Sequence, residues 1–229
     1  MEKLVYLLWK PDTATDWEYT LKTDGIATCQ RLGASKLRLN LADADVEAAS
    51  AMRMTPEPPL PDAILSLWLD SASLRLPIEQ ALQTQCARLA GYLVTESEPL
   101  PNDNFAPSTG MRTHGMNHVV FLKIPAKLTR EEWLDLWLNH HTPVAIETQE
   151  TFGYRQNIIA RKLTSGAPDL DAIVEENFHP EAMADQNAFY KRASEEELKK
   201  NQKVMFESCS RFIDFSQLSR LPTSEYNFN

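Results

Sequence analysis

The chain has 229 residues, 43% of them hydrophobic and 24% charged, with a formal net charge of −9. That size allows one domain or two small ones, and the composition is that of an ordinary globular protein. The acidic balance argues against a nucleic-acid or anionic-membrane partner, which would need a basic patch. Cys29, Cys86 and Cys209 are widely spaced and odd in number. A disulfide framework or a zinc site is therefore not expected, and a reducing, cytoplasmic compartment is.

In chain order, Lys3–Trp9 is a short apolar run and reads as a buried strand. It is too short, and lacks the small-residue cleavage site, for a signal peptide. A polar helix is expected over about 15–32, and a half-buried strand over Lys36–Leu41, where charged residues alternate with leucine. The segment from Asp43 to Pro61 reads as loop at its Pro-rich end. Ala63–Leu69 is the next strand, Leu76–Ala90 carries a helical apolar stripe, and Gly91–Thr95 is a short strand. Pro99–Asn117 holds Pro99, Pro101, Pro107 and Gly110 among Asn, Asp and Ser, and reads as linker. No stretch is long and apolar enough to span a membrane as a helix.

The same order then returns. His118–Ile124 is a strand and Phe152–Arg161 and Ala172–Phe178 are two more. Pro180 suits the first turn of a helix over 181–190. Ser194 with Glu197 is a capping box opening a helix through about Phe206, and Arg211–Phe215 closes as a strand. The tail from Ser219 is turn-like in composition. The pattern β-α-β-β-α-β twice predicts an α+β protein of two ferredoxin-like repeats. The predicted division is an N-terminal repeat over 1–98, a linker over 99–117 and a C-terminal repeat with tail over 118–229. Each unit has a bare sheet face, so the two sheets are expected to pack together as an α+β barrel around an internal cavity, closed within or between chains.

The most informative stretch is Leu128 to Tyr154. Thr129 and Glu132 form a capping box, and Trp133, Leu136, Trp137, His140 and His141 recur at offsets of three and four on one helical face. Pro143 is expected to stop the helix, because a proline pushes the preceding residue out of the α region. Both histidines then sit on the last turn, where unpaired carbonyls favour imidazolium.

Trp137, three residues, His141, one residue and Pro143 at this helix end resemble the EthD family of the dimeric α+β-barrel superfamily. Tyr154-Arg155-Gln156-Asn157 and the run Asp171 to Phe178 look like that family's second and third strands. The resemblance covers most of 118–218. The first half matches only in its order of elements, with no histidine or proline around Gly25. The resemblance implies breakdown of small organic compounds or dehydration, decarboxylation or cofactor-free oxidation of polyketide aromatics, with any site in the second half.

His141 is the candidate general base for a phenol or carbon acid. Alternatively its ring only fastens the helix–strand turn. Tyr154, whose hydroxyl can polarise a carbonyl, and Glu175, placed by the resemblance, complete the candidate catalytic set. Glu175 could pair with His141 or Arg155, or lie at a strand edge in water. Trp137, His140 and Asn157 are the candidate substrate-binding residues. Trp133 and Trp137 are also natural core residues, and His140 could equally face solvent. Tyr154 and Asn157 lie on opposite strand faces, so without a bulge at most one lines a cavity. His114 and His118 have no cysteine or carboxylate at ligand spacing, and no phosphate-binding glycine loop is present. No metal or organic cofactor is predicted. Three readings result: an enzyme (oxidoreductase or lyase) acting on a small hydrophobic or aromatic molecule, a carrier of such a molecule, or a structural oligomer without a site.

Overall fold

A computed structural model describes residues 1–228. Eight strands form the sheet, with helical segments in most of the connections between them. The strands are β1 (Glu2–Trp9), β2 (Ser35–Leu41), β3 (Ala63–Leu69), β4 (Arg88–Leu100), β5 (Met116–Leu122), β6 (Thr151–Lys162), β7 (Ala172–Phe178) and β8 (Ser219–Phe228). They close into one antiparallel barrel in the order β1-β3-β2-β8-β5-β7-β6-β4. The first four strands run β4-β1-β3-β2 and the last four run β8-β5-β7-β6. The halves join where β2 pairs with β8 and β4 with β6. Closure within one chain leaves no unpaired edge.

Alternation along the strands gives the barrel two surfaces. The inward positions hold Val5, Leu7, Ile64, Tyr92, Val94, Val119, Phe121, Ile159, Ile173 and Leu221 toward one end. Toward the other they hold Lys3, Asn157, Arg155, Glu175 and Glu225, all buried. The interior is thus filled, by an apolar cluster and a charged one. The expected cavity between the sheets is replaced by this packed core. Outward positions face the helices.

The first half is covered by α1 (Trp17–Thr20), a wide π turn (Leu21–Gly25), α2 (Ile26–Arg31) and α3 (Leu76–Gln83). The second half is covered by α4 (Arg130–Leu134), a π turn (Asp135–His141), α5 (Thr142–Thr148) and α6 (Glu195–Phe212). The capping box at Thr129 and Glu132 is formed as expected.

Pro143 does not stop the helix. The backbone N–H of Thr142 reaches back five residues to the Trp137 carbonyl, and the Thr142 hydroxyl donates to the same oxygen at 3.0 Å. The widened turn takes in a residue without an N–H, so the chain runs on as α5.

Other elements differ from the sequence-based expectation. The helix expected to Ala90 ends at Gln83, because Leu89 and Ala90 pair with β1. β4 extends to Leu100 because Glu96 and Glu98 find cations inside the barrel. The helix over 181–190 is two short 3-10 turns, Pro180–Met183 and Gln186–Phe189. The expected strand 211–215 is the end of α6 and a loop. Its place is taken by the tail, whose β8 zips the two halves together. A 3-10 turn, Ala44–Met52, forms ahead of the Pro-rich end expected to be loop.

Gly115 precedes β5 with φ +75°, and a Cβ there would lie 1.9 Å from the Phe178 carbonyl oxygen. Gly115→Ala is expected to destabilise the fold by about 2–4 kcal/mol, from backbone strain plus overpacking. Urea unfolding checks this, and a loss under about 1 kcal/mol would contradict the placement.

Candidate functional site

A cavity of about 560 Å³ lies outside the barrel, between the outer face of the second half's sheet and the helices that cover it. The sheet supplies the floor. Tyr154 on β6 lies opposite Glu176 on β7, and Glu176 lies opposite His118 on β5. One step along are Val174 and Val120, with Arg220 opposite Val120 on β8. Trp137 and His141 descend from the π turn, and Met205, Cys209 and Phe212 descend from α6. The two 3-10 turns and Ala44–Met52 add Met183, Phe189 and Met52 to the rim. Phe206 and Phe215 stack 5.7 Å apart in the wall, yet both are exposed.

His141 is 6% exposed. Its Nδ1 lies 3.0 Å from the Ser208 hydroxyl, and its ring packs on Phe212 at 4.6 Å. Burial pushes its pKa down to about 4. The helix continues past it, so no carbonyl terminus favours the cation, and the imidazole is neutral at pH 7. The expectation of imidazolium is corrected by this burial. Ser208 occupies Nδ1 and leaves Nε2 for the cavity.

The depressed value has a stability consequence. Unfolded histidine titrates near 6.5, so the unfolded chain takes up the proton first as pH falls. The stability tied to His141 is whole above about 6.5 and drains away down to about 4, for a loss of about 3 kcal/mol. Unfolding free energies at pH 7 and 4.5 are expected to differ less in His141→Gln. An unchanged difference would mean that the ring is not desolvated.

Tyr154 is buried, and its oxygen accepts from Trp137 Nε1 at 3.2 Å. Burial, followed by the Glu176 carboxylate, raises its pKa, so it keeps its proton and can donate. Trp137 therefore both lines the cavity and fixes the tyrosine. Trp133 is core, with Nε1 on the Phe212 carbonyl at 3.1 Å.

The remaining sequence candidates lie elsewhere. Glu175 points into the barrel, where its carboxylate accepts from Arg155 at 3.1 Å, Asn157 at 2.9 Å and Asn40 at 3.2 Å. Asn157 is beside it, and neither lines the cavity. His140 is on the exposed side of the helix, 3.4 Å from Asp135. Strand alternation accounts for the first two, since a residue beside Tyr154's face must turn inward when Tyr154 turns outward. The pairing of Glu175 with Arg155 is present; a pairing with His141 is not.

Sequence reasoning missed the His118–Glu176 pair, whose Nδ1 and Oε2 are 3.4 Å apart. A signal did exist. The corresponding pair in the first half is Leu4 opposite Leu67, so His118 and Glu176 are polar intrusions at apolar positions. Gly25 similarly ends the first half's π turn where His141 ends the second. The first half's space between sheet and helices is solid core around Leu4, Tyr6, Trp17, Leu21 and Leu67. His114 sits apart, stacked on Phe105 at 5.1 Å. Among the described residues no three His, Cys, Asp or Glu side chains cluster to hold a metal, and no helix is long and apolar enough to cross a membrane.

The profile of the EthD domain matches residues 125–216, which contain the π turn, α5, β6, β7 and α6. No curated protein matches the chain. Among solved structures, an anthrone oxidase-like protein superposes over 100% of this chain and 92% of its own, at 9% identity and a TM-score of 0.57. A candidate monooxygenase from Fusobacterium nucleatum subsp. nucleatum superposes over 100% of this chain and 93% of its own, at 10% identity and a TM-score of 0.50. At such identities the likeness is one of fold.

Proposed function

With an EthD domain as its second half, we propose that this protein binds a small hydrophobic or aromatic molecule in the 560 Å³ cavity and transforms it by proton abstraction. The observation that carries the reading is that His141 and Tyr154 share one largely apolar chamber. The neutral imidazole takes a proton at Nε2 from a carbon acid or phenol, while the Tyr154 hydroxyl donates to the oxygen where negative charge develops. Against a largely apolar lining the new imidazolium and enolate stabilise each other, which offsets the weakness of so buried a base. For oxidation, the carbanion adds O2 and takes the proton back from His141 as a hydroperoxide, and loss of water leaves a ketone. For dehydration, a neighbouring hydroxyl leaves as water. Neither route needs an organic cofactor. Glu175 has no part in it, and Glu176 is the carboxylate on the wall.

We further read the chain as two ferredoxin-like repeats, over 1–98 and 118–229, joined by 99–117. The shared strand order and the matching π turns support this, with the first repeat filled in and the second hollow. The unpaired Cys29, Cys86 and Cys209 suit a cytoplasmic setting, and the closed intrachain barrel makes a homodimer unnecessary for the site.

The test is deuterium exchange into the methylene of anthrone, a tricyclic carbon acid, by wild type and His141→Gln. A second reading, a non-catalytic carrier, is favoured by one observation, the depression of the His141 pKa to about 4. Equal exchange by both proteins, with anthrone still bound, would select it.

A further inference from the structure

One cation and two acceptors in the cavity wall have nothing to bind. The Arg220 guanidinium makes no ion pair or hydrogen bond among the described residues, and its Nε is buried without a partner. Burial lowers its pKa, with only Tyr190 acting the other way. Other partly or fully buried arginines have carboxylates: Arg155 with Glu175, Arg38 with Glu225, Arg75 with Glu79. In a chain with 32 acidic and 23 basic residues, a half-buried arginine without one stands out, because desolvated charge is costly unless paired.

The two acceptors are His118 and Gln149, both 6% exposed. Glu176 faces Nδ1 of His118, so in the neutral imidazole that nitrogen carries the hydrogen and Nε2 is the acceptor. Nε2 is buried without a partner, and so is Oε1 of Gln149. All three residues line the cavity. His118 and Arg220 are diagonal neighbours on the floor, since Arg220 is opposite Val120, which puts them roughly 7–8 Å apart at the backbone. That spacing suits two substituents of one ring system.

We infer that the cavity takes a hydroxylated aromatic acid. An ionised oxygen, carboxylate or phenolate, is held by Arg220, and hydroxyl hydrogens are donated to Nε2 of His118 and Oε1 of Gln149. The rings lie against Trp137, Met205 and Phe212. The inference rests on the cavity being a ligand site, but not on His141 acting as a base.

Titration calorimetry with 1-hydroxy-2-naphthoate and its methyl ester tests it. The acid is expected to bind roughly ten- to a hundredfold more tightly than the ester, as for one charge-assisted hydrogen-bonded pair. Arg220→Gln should erase that preference while leaving ester affinity intact, which also shows the variant to be folded, and Arg220→Lys should keep part of it. A nitronaphthol ionised at neutral pH distinguishes phenolate from carboxylate as the bound oxygen. Equal affinity for acid and ester, equal weakening of both by Arg220→Gln, or no binding of either overturns the inference. His141→Gln should leave the preference unchanged, so proton abstraction can fail while acid selectivity stands.

Discussion

His141→Gln is expected to slow exchange at the anthrone methylene by roughly 10²- to 10⁴-fold, the usual contribution of a positioned general base. Glutamine keeps a polar group near Ser208 but has no basic nitrogen. Ser208 matters because it engages Nδ1 at 3.0 Å, which directs Nε2 to the chamber. Ser208→Ala should therefore cost less, through a looser ring, and a larger loss from it than from His141→Gln would contradict the assignment. Because burial holds the free imidazole near 4, the rate with free enzyme should not fall between pH 7 and 5. A plunge centred near pH 6.5 would show an ordinary solvated histidine and sink the proposed geometry. Tyr154→Phe should lower the rate as well, with Trp137 Nε1 then left without its acceptor.

Arg155→Leu is expected to cost about 3–5 kcal/mol of folding stability, as when one partner of a buried ion pair is removed. Set against a total of about 5–15 kcal/mol, the variant would be close to unfolding. Arg155 lies 3.1 Å from Glu175 and 3.6 Å from Glu225, inside the barrel. Leucine leaves both carboxylates in a dry interior with only Lys3, Arg38 and amides to answer them. Burial by itself would raise the Glu175 pKa; Arg155 first and Lys3 next outweigh it and hold the group well below the carboxylate range. An unfolded glutamate titrates near 4.3. The stability this network supplies is therefore present above about pH 4.3 and lost as the pH falls toward the low folded value. That window lies below the one assigned to His141. In Arg155→Leu the acid loss should shrink, because Glu175 without its guanidinium no longer has a folded-state pKa far below the unfolded one, and adding Glu175→Gln should recover part of the stability, since the two sites share one network. Urea unfolding across pH reads all three effects. A single variant within about 1 kcal/mol of wild type would mean that water reaches these charges.

Short apolar runs such as Lys3–Trp9, together with the alternation in Lys36–Leu41, determined most of the strand list, because both are patterns of neighbours along the chain. The Thr129 capping box and the weakness of the first half around Gly25 were equally legible, as both are local. The tail was misread because Ser219–Phe228 has turn-like composition and becomes a strand only when β2 and β5 lie on either side of it. The length of β4 was hidden for a similar reason, since Glu96 and Glu98 suit an interior only when Lys3 and Arg155 arrive there from distant segments.

The site divides in the same way. The sequence by itself marked the helix that carries Trp137 and His141, and it marked Tyr154, because helical spacing and strand period are properties of neighbours along the chain. Only the tertiary structure decided which face of the sheet was hollow. The barrel interior fills with Arg155, Asn157 and Glu175, and the space under α6 stays open, so the carboxylate at the cavity is Glu176 and its partner is His118. Those two are 58 positions apart and meet because β5 and β7 pair in one register, a long-range contact that no local pattern encodes.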